Sequence, residues 1–172
     1  MQARMNLKIK FREGFRPFAP SVLRERVTDW FELECDSPYM LLVALIKRER
    51  RIAKTEAQAR LWGIDQLNVV RSDVPAVTHI DYSARIQTVT RDTNANYYDI
   101  IAEFERLTGC AVIVNTSFNV RGEPIVCTPE DAYRCFMRTN IDYLVLWPFI
   151  LDKTHQPVWK DTADWRTQRQ LD

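Results

Sequence analysis

Residues 110–124 read CAVIVNTSFNVRGEP, and the fold turns on how this stretch divides. Cys110–Val114 is a continuous apolar run of strand length. Asn115–Pro124 then gathers hydroxyls, amides and one Arg around a lone Phe, and the following TPED opens a helix. Thr128 stands as its N-cap, Pro129 at N1 and Asp131 at N3, close to a capping box. Upstream, NANYYDIIAEFERLTG repeats Tyr97, Ile100, Ile101, Phe104 and Leu107 at spacings of three and four, with Gly109 as C′ residue. Helix, buried strand, polar loop and helix alternate as in an α/β sheet covered by helices. In open sheets of this class ligands bind beyond the carboxyl ends of strands, which is where Asn115–Pro124 falls.

Outward from this stretch the signals are shorter. NLKIKFR (Asn6–Arg12) alternates apolar and basic residues and by period alone predicts a short strand. RPFAPSVL follows, where Pro17 and Pro20 predict an edge or bulged strand. VTDWFELE predicts a helix opening at Thr28, YMLLVALI, a continuous apolar run, a strand, and KTEAQARLWGI a short surface helix ending near Gly63. PAVTHI and ARIQTVT are rich in β-branched residues and predict two strands meeting at Asp81 and Tyr82. YLVLWPFIL predicts a strand pair or one bent strand, and the chain from Thr154 to Asp172 is a polar tail.

With 172 residues the chain suits one domain. A net charge of +1 supplies no global field toward nucleic acid or an acidic membrane, so anion binding must come from a local cluster. Cys35, Cys110, Cys127 and Cys135 stand singly and there are only two histidines, so zinc spacing is missing. With no signal peptide and no apolar run of spanning length, the expected setting is a reducing cytoplasm. Neither P-loop nor dinucleotide glycines are present among four scattered glycines, and no nucleophile motif appears.

Three clusters carry possible chemistry. Asn115, Thr116, Ser117 and Asn119 form either a turn that satisfies backbone groups or an anion-binding nest, with Arg121 beside it. Lys8, Lys10, Arg12 and Arg16 form either a solvated basic edge or a phosphate clamp; on an extended segment Lys10 and Arg12 share one face. His79, Asp81, Ser83, Arg85 and Gln87 offer an H-x-D pair, too few ligands for a metal, and Arg85 and Gln87 on one strand face.

KFREGFRPFAPSVL, PAVTHIDYSARIQTV and NTSFNVRGEPIVCTPEDA together resemble the C-terminal domain of the NodU/CmcH-type carbamoyltransferases, over about Asn6 to Lys153. Three motifs in order make this resemblance specific. It implies an α/β, YrdC-like fold, a twisted open mixed sheet flanked by helices. It also implies a K-x-R pair (Lys10, Arg12) and an S-x-N pair (Ser117, Asn119) around a nucleotide, with the K-x-R closing a helix rather than lying on a strand. The expected domain is 1–153, followed by the tail 154–172. The larger N-terminal kinase-like domain, which carries the family's acceptor-site metal, is expected to be missing from these residues.

The implied activity is ATP-dependent O-carbamoyl transfer. Carbamoyl phosphate and ATP, with Mg accompanying the ATP, give carbamoyl adenylate here, and the carbamoyl group passes to a sugar or natural-product hydroxyl. Lys10, Arg12, Ser117 and Asn119 are the implied catalytic and ATP-binding residues, with Arg85 a third cation and Arg16 and Arg121 behind it. No metal ligands are expected in this chain, which alone should transfer nothing. Surface left bare by the absent partner would favour a homodimer. A threonylcarbamoyl-adenylate synthase and a non-catalytic dimerisation module are the alternatives. Tyr82 stands where the family pattern has Gly, so the H-x-D turn must avoid positive φ or be strained. Trp147–Pro148 departs from a Gly-Asn-like pair.

Overall fold

The computed structural model of the protein describes residues 1–161; the last part of the expected tail, 162–172, lies outside the described residues. The α-helices in chain order are α1 (Gln2–Met5), α2 (Val27–Trp30), α3 (Glu56–Ala59), α4 (Ile64–Leu67), α5 (Ala95–Thr108) and α6 (Pro129–Arg138). The strands are β1 (Ala19–Leu23), β2 (Leu42–Leu45), β3 (Ser83–Val89), β4 (Val112–Asn115), β5 (Tyr143–Leu146) and β6 (Phe149–Asp152). The chain forms two units. A sheet unit spans Pro17–Thr116, and a helix–hairpin unit joins Ala3–Arg16 to the chain from Ser117 onward.

In the sheet unit the strand order is β2–β3–β1–β4. β1 runs parallel to β3 and antiparallel to β4, and β2 runs antiparallel to β3, so the sheet is mixed and open, as expected. β1 is not the edge strand that its prolines predict. It is central and buried along its whole length. Pairing with β3 begins only at Ser21, so the amide missing at Pro20 falls before that ladder starts. β2, the strand expected in YMLLVALI, takes the edge instead, with Leu42, Val43 and Leu45 exposed. PAVTHI is also not a strand: Pro75–Val77 form a 3₁₀ turn, since Pro75 removes a ladder donor.

α5 matches its sequence signals closely. Asn94 caps it by accepting from the Tyr97 amide, and Gly109 ends it at φ 73°. Ile101 is sealed against Leu23 and Val89, with Tyr97, Tyr98, Ala102 and Ile113 around them. The apolar stripe is wider than the sheet it meets, and Ile100, Phe104 and Leu107 stay exposed.

In the helix–hairpin unit, α6 buries Ala132, Cys135 and Phe136. Ala132 and Phe136 pack on Leu144 of the antiparallel hairpin β5–β6, which turns at Trp147–Pro148. Thr128 Oγ1 accepts from the Asp131 amide and Asp131 Oδ2 accepts from the Thr128 amide, so both halves of the capping box are made. Thr128→Ala should cost about 1 kcal/mol in urea unfolding and Thr128→Ser much less. Equal losses would assign the effect to packing and not to the cap.

Asn6–Arg12 is the clearest correction. Asn6–Lys10 form a π-helical turn continuing α1, and Phe11 ends it in the left-handed region at φ 51°. The strand predicted from alternation is absent, and the helix implied by the family resemblance is what forms. Burial explains the misreading: the covered positions are the polar Asn6 and Lys10, four apart, while Leu7 faces solvent.

Candidate functional site

Lys10 lies in the helix–hairpin unit and is 4% exposed. Its Nζ donates to the Ser117 carbonyl (2.8 Å), the Asn119 carbonyl (2.7 Å) and Asn119 Oδ1 (2.7 Å), with Ser117 Oγ at 3.3 Å. An ammonium has three protons, and three short bonds use them all. Ser117 Oγ donates onward to Asn119 Oδ1 at 2.6 Å, and Asn119 Nδ2 donates to the Glu123 carbonyl at 2.8 Å. The Arg121 amide returns a bond to the Lys10 carbonyl at 3.1 Å. The K-x-R and S-x-N motifs therefore meet, and the lysine draws the loop around itself.

Burial, and next the Arg12 charge, lower the Lys10 pKa to about 8, against a small opposing pull from Cys135. This lysine still carries its proton at neutral pH, at a desolvation cost that its three acceptors offset.

Arg12 follows Phe11 and turns away from the extended geometry expected of it. Its Nε donates to Asn6 Oδ1 at 2.6 Å and its amide to the Asn6 carbonyl at 3.0 Å. Asn6, fully buried, also donates from Nδ2 to the carbonyls of Gly14 (3.2 Å) and Arg16 (2.8 Å). One carboxamide thus fixes the arc from Asn6 to Arg16 and aims Arg12. Sequence reasoning missed Asn6, and its spacing of four from Lys10 was the available signal. Burial and then Arg16 lower the Arg12 pKa, yet a guanidinium so shifted keeps its charge.

The weaker cations collect nearby. Arg16 lies 3.8 Å and Arg121 3.5 Å from Glu13 carboxylate oxygens. Glu13 is held below the usual carboxylate range, first by its own backbone hydrogen bond and then by Arg16, Arg121 and Arg12. Glu13 thus has three guanidiniums as charged neighbours.

Two sequence-named groups behave differently. Arg85 belongs to the sheet unit, exposed on β3 opposite Val43. His79 Nδ1 and Ser83 Oγ are 2.9 Å apart, and Asp81 Oδ1 accepts from the Ser83 amide at 3.0 Å, so the H-x-D pair closes the turn into β3. Tyr82 takes φ 67° there, so the turn accepts the left-handed conformation without a glycine. Among the described residues no group of three His, Cys, Asp or Glu is placed to hold a metal ion, and no helix is long and apolar enough to cross a membrane.

Known proteins are similar to this chain in sequence. The chain is 61% identical, over all of its 172 residues, to the uncharacterized protein sll1178 of Synechocystis, covering 28% of that protein. It is 38% identical over 87% of its length to nodulation protein NolO of Bradyrhizobium diazoefficiens, covering 24% of it. Against nodulation protein NolNO of Sinorhizobium fredii the identity is again 38% over 87% of this chain and 20% of the relative. The chain thus spans about a quarter of the length of these relatives. A family model described as carbamoyltransferase C-terminus matches residues 1–153, taking in every motif from Lys10 to Lys153. By that match the chain belongs to the carbamoyltransferase C-terminus family.

Proposed function

We propose that this chain is the adenylating domain of an ATP-dependent O-carbamoyltransferase of the cytoplasm. Carbamoyl phosphate gives up its phosphoryl group to water, leaving carbamate and phosphate. A carbamate oxygen attacks the α-phosphorus of ATP, pyrophosphate departs, and carbamoyl adenylate forms. The carbamoyl carbon then accepts a sugar or natural-product hydroxyl with loss of AMP, on a partner domain of kinase-like fold. The observation that carries this reading is the set of bonds from Lys10 to both Ser117 and Asn119.

Charge accumulates on the α-phosphate and on the leaving pyrophosphate, so preorganised cations lower the barrier. Arg12, aimed by Asn6, is the principal phosphate cation, with Arg16 and Arg121 adding field. The Ser117–Asn119 turn offers hydroxyl and amide groups that fix the nucleotide in line. Lys10 serves this turn from behind, its protons spent on the loop. Mg accompanies the triphosphate, neutralises part of its charge, and is held chiefly by phosphate and water.

ATP with Mg should raise the melting temperature of the wild-type chain. Arg12→Met should weaken ATP binding by about 30-fold or more in calorimetric titration, since charged hydrogen bonds contribute about 1.5–3 kcal/mol each. Wild-type affinity in Arg12→Met would remove ATP from this cluster. Pyrophosphate release driven by threonine and bicarbonate, and not by carbamoyl phosphate, would reassign the chain to threonylcarbamoyl-adenylate synthesis.

A further inference from the structure

The outer edge of β2 ends the sheet without closing it. The Ile46 amide donates to the Tyr82 carbonyl at 2.8 Å. In an antiparallel ladder the backbone groups of successive residues turn alternately toward and away from the partner strand. Ala44 and Leu42 therefore turn theirs to β3, opposite Ala84 and Ile86, while Leu45, Val43 and Leu41 turn theirs outward. The outer bonds agree: the Leu45 carbonyl accepts from the Glu32 amide at 2.8 Å, and the Lys47 amide donates to the Trp30 carbonyl at 2.9 Å. Past Leu45 that cover stops. The outward amides and carbonyls of Val43 and Leu41 have no partner among the described residues.

Edges of this kind are ordinarily guarded by charges, proline or a bulge. Here the chain from Leu41 to Ile46 has neither charge nor proline. Leu41 is 77% exposed and Val43 58%, both on the face that Arg85 shares, and Leu42 is 39% exposed on the other. An apolar, uncharged edge has nothing to select a charged segment and nothing to repel a copy of itself.

We infer that β2 pairs with β2 of a second copy of this chain, antiparallel about a two-fold axis at Leu42. That register sets Val43 of each copy opposite Leu41 of the other, and the two pairs exchange four backbone hydrogen bonds, so each edge satisfies its twin. An axis at Val43 would instead set Leu41 of the second copy opposite Leu45, where Glu32 already lies. With the axis at Leu42 the second copy leaves the ladder at Met40, whose φ of 56° turns the chain away before it reaches Glu32. On one face the Leu41 and Val43 side chains of both copies form an apolar stripe, and on the other the two Leu42 side chains meet. The two Arg85 stand three strand spacings and two residues apart, about 16 Å at the backbone, beyond the roughly 8–10 Å over which exposed charges act at ordinary salt. The result is one sheet of eight strands continuous through both copies. So short a seam falls below the roughly 1,200 Å² of stable pairs, which makes the dimer concentration-dependent. The pairing does not rest on the carbamoyltransferase reading.

Sedimentation velocity on the whole chain, from about 5 to 500 µM, tests it. Wild type should pass from monomer to dimer with a dissociation constant of about 10–100 µM. Val43→Pro removes an N–H that β3 does not use, so it should raise that constant about 10-fold or more with the circular dichroism unchanged. Val43→Lys should do the same. Ile150→Lys, on the exposed apolar side of the β5–β6 hairpin, should leave the dimer as it is. Hydrogen exchange should slow at the Leu41 and Val43 amides as concentration rises, while the Leu42 and Ala44 amides stay protected throughout. A wild type that remains monomeric to about 500 µM would hand the edge to a different chain and overturn self-pairing. So would a dimer that survives Val43→Pro or, where proline unfolds the chain, Val43→Lys. Loss of the dimer in Ile150→Lys alone would move the contact to the hairpin and sink the proposal as well.

Discussion

Lys10→Met should lower the unfolding free energy by about 2–3 kcal/mol and abolish the thermal shift induced by ATP. The size follows from what is left behind. The Ser117 carbonyl, the Asn119 carbonyl and Asn119 Oδ1 each lose their short bond to the lysine, and an unsatisfied buried acceptor costs about 1–3 kcal/mol. Release of the buried charge returns part of that loss. Lys10→Arg should rescue little, because a planar fork does not match three acceptors grouped around one point. A lysine that merely touched phosphate would behave oppositely, with melting temperature unchanged and ATP affinity reduced.

Titration separates these roles further. The folded pKa of Lys10, about 8, lies below its ordinary 10.5. Below pH 8 both states hold the proton, and the penalty of burying the charge is fully present. Between pH 8 and 10.5 the unfolded chain holds more protons than the fold, so wild-type stability should rise relative to Lys10→Met, by at most about 3 kcal/mol. Arg12 and the Cys135 thiol face this lysine. The first stays charged, and burial raises the second, so neither reverses the sign. A difference that falls with pH would show the charged ammonium to be net favourable.

Phe136→Ala should cost about 3–5 kcal/mol in urea unfolding, the range for truncating a sealed aromatic. Phe136 is fully buried against Ala132 and Leu144, and Lys153 Nζ stands 4.2 Å from its ring centroid. The same cluster takes in Phe118, the middle residue of Ser117–Phe118–Asn119. The lone aromatic of the loop is thus its anchor, and its neighbours hold their geometry through it. Phe136→Ala should weaken ATP binding as well as the fold, whereas Phe136→Leu should keep most of both. A loss below about 1.5 kcal/mol would mean the cluster collapses into the vacated space.

What the letters disclosed depended on how local the cause was. α5 and α6 were legible because cap, periodicity and stop lie within one segment, and the Thr128–Asp131 box formed as its spacing predicts. β1 was misjudged because the proline rule concerns ladder donors, and Pro20 sits just before the β3 ladder begins. Asn6–Lys10 was misjudged because polarity stood in for burial, and this turn buries its amide and its ammonium. The meeting of Lys10 with Ser117 and Asn119 came from motif resemblance, since nothing in either segment names the other. The orientation of Asn115 was beyond sequence reading, because it depends on Ser21 and Gln87 arriving from two other strands.

The chain interrupts its helix–hairpin unit with an entire sheet, and Lys10 contacts partners 107 and 109 residues away. Contacts of such high order form late, after the entropy of closing a long loop has been overcome. During synthesis the opening helix must wait, its buried ammonium still hydrated, until residues beyond Asn119 leave the ribosome. Closure of the loop around Lys10 is therefore among the last contacts that the nascent polypeptide makes, after the sheet between the two segments has left the ribosome.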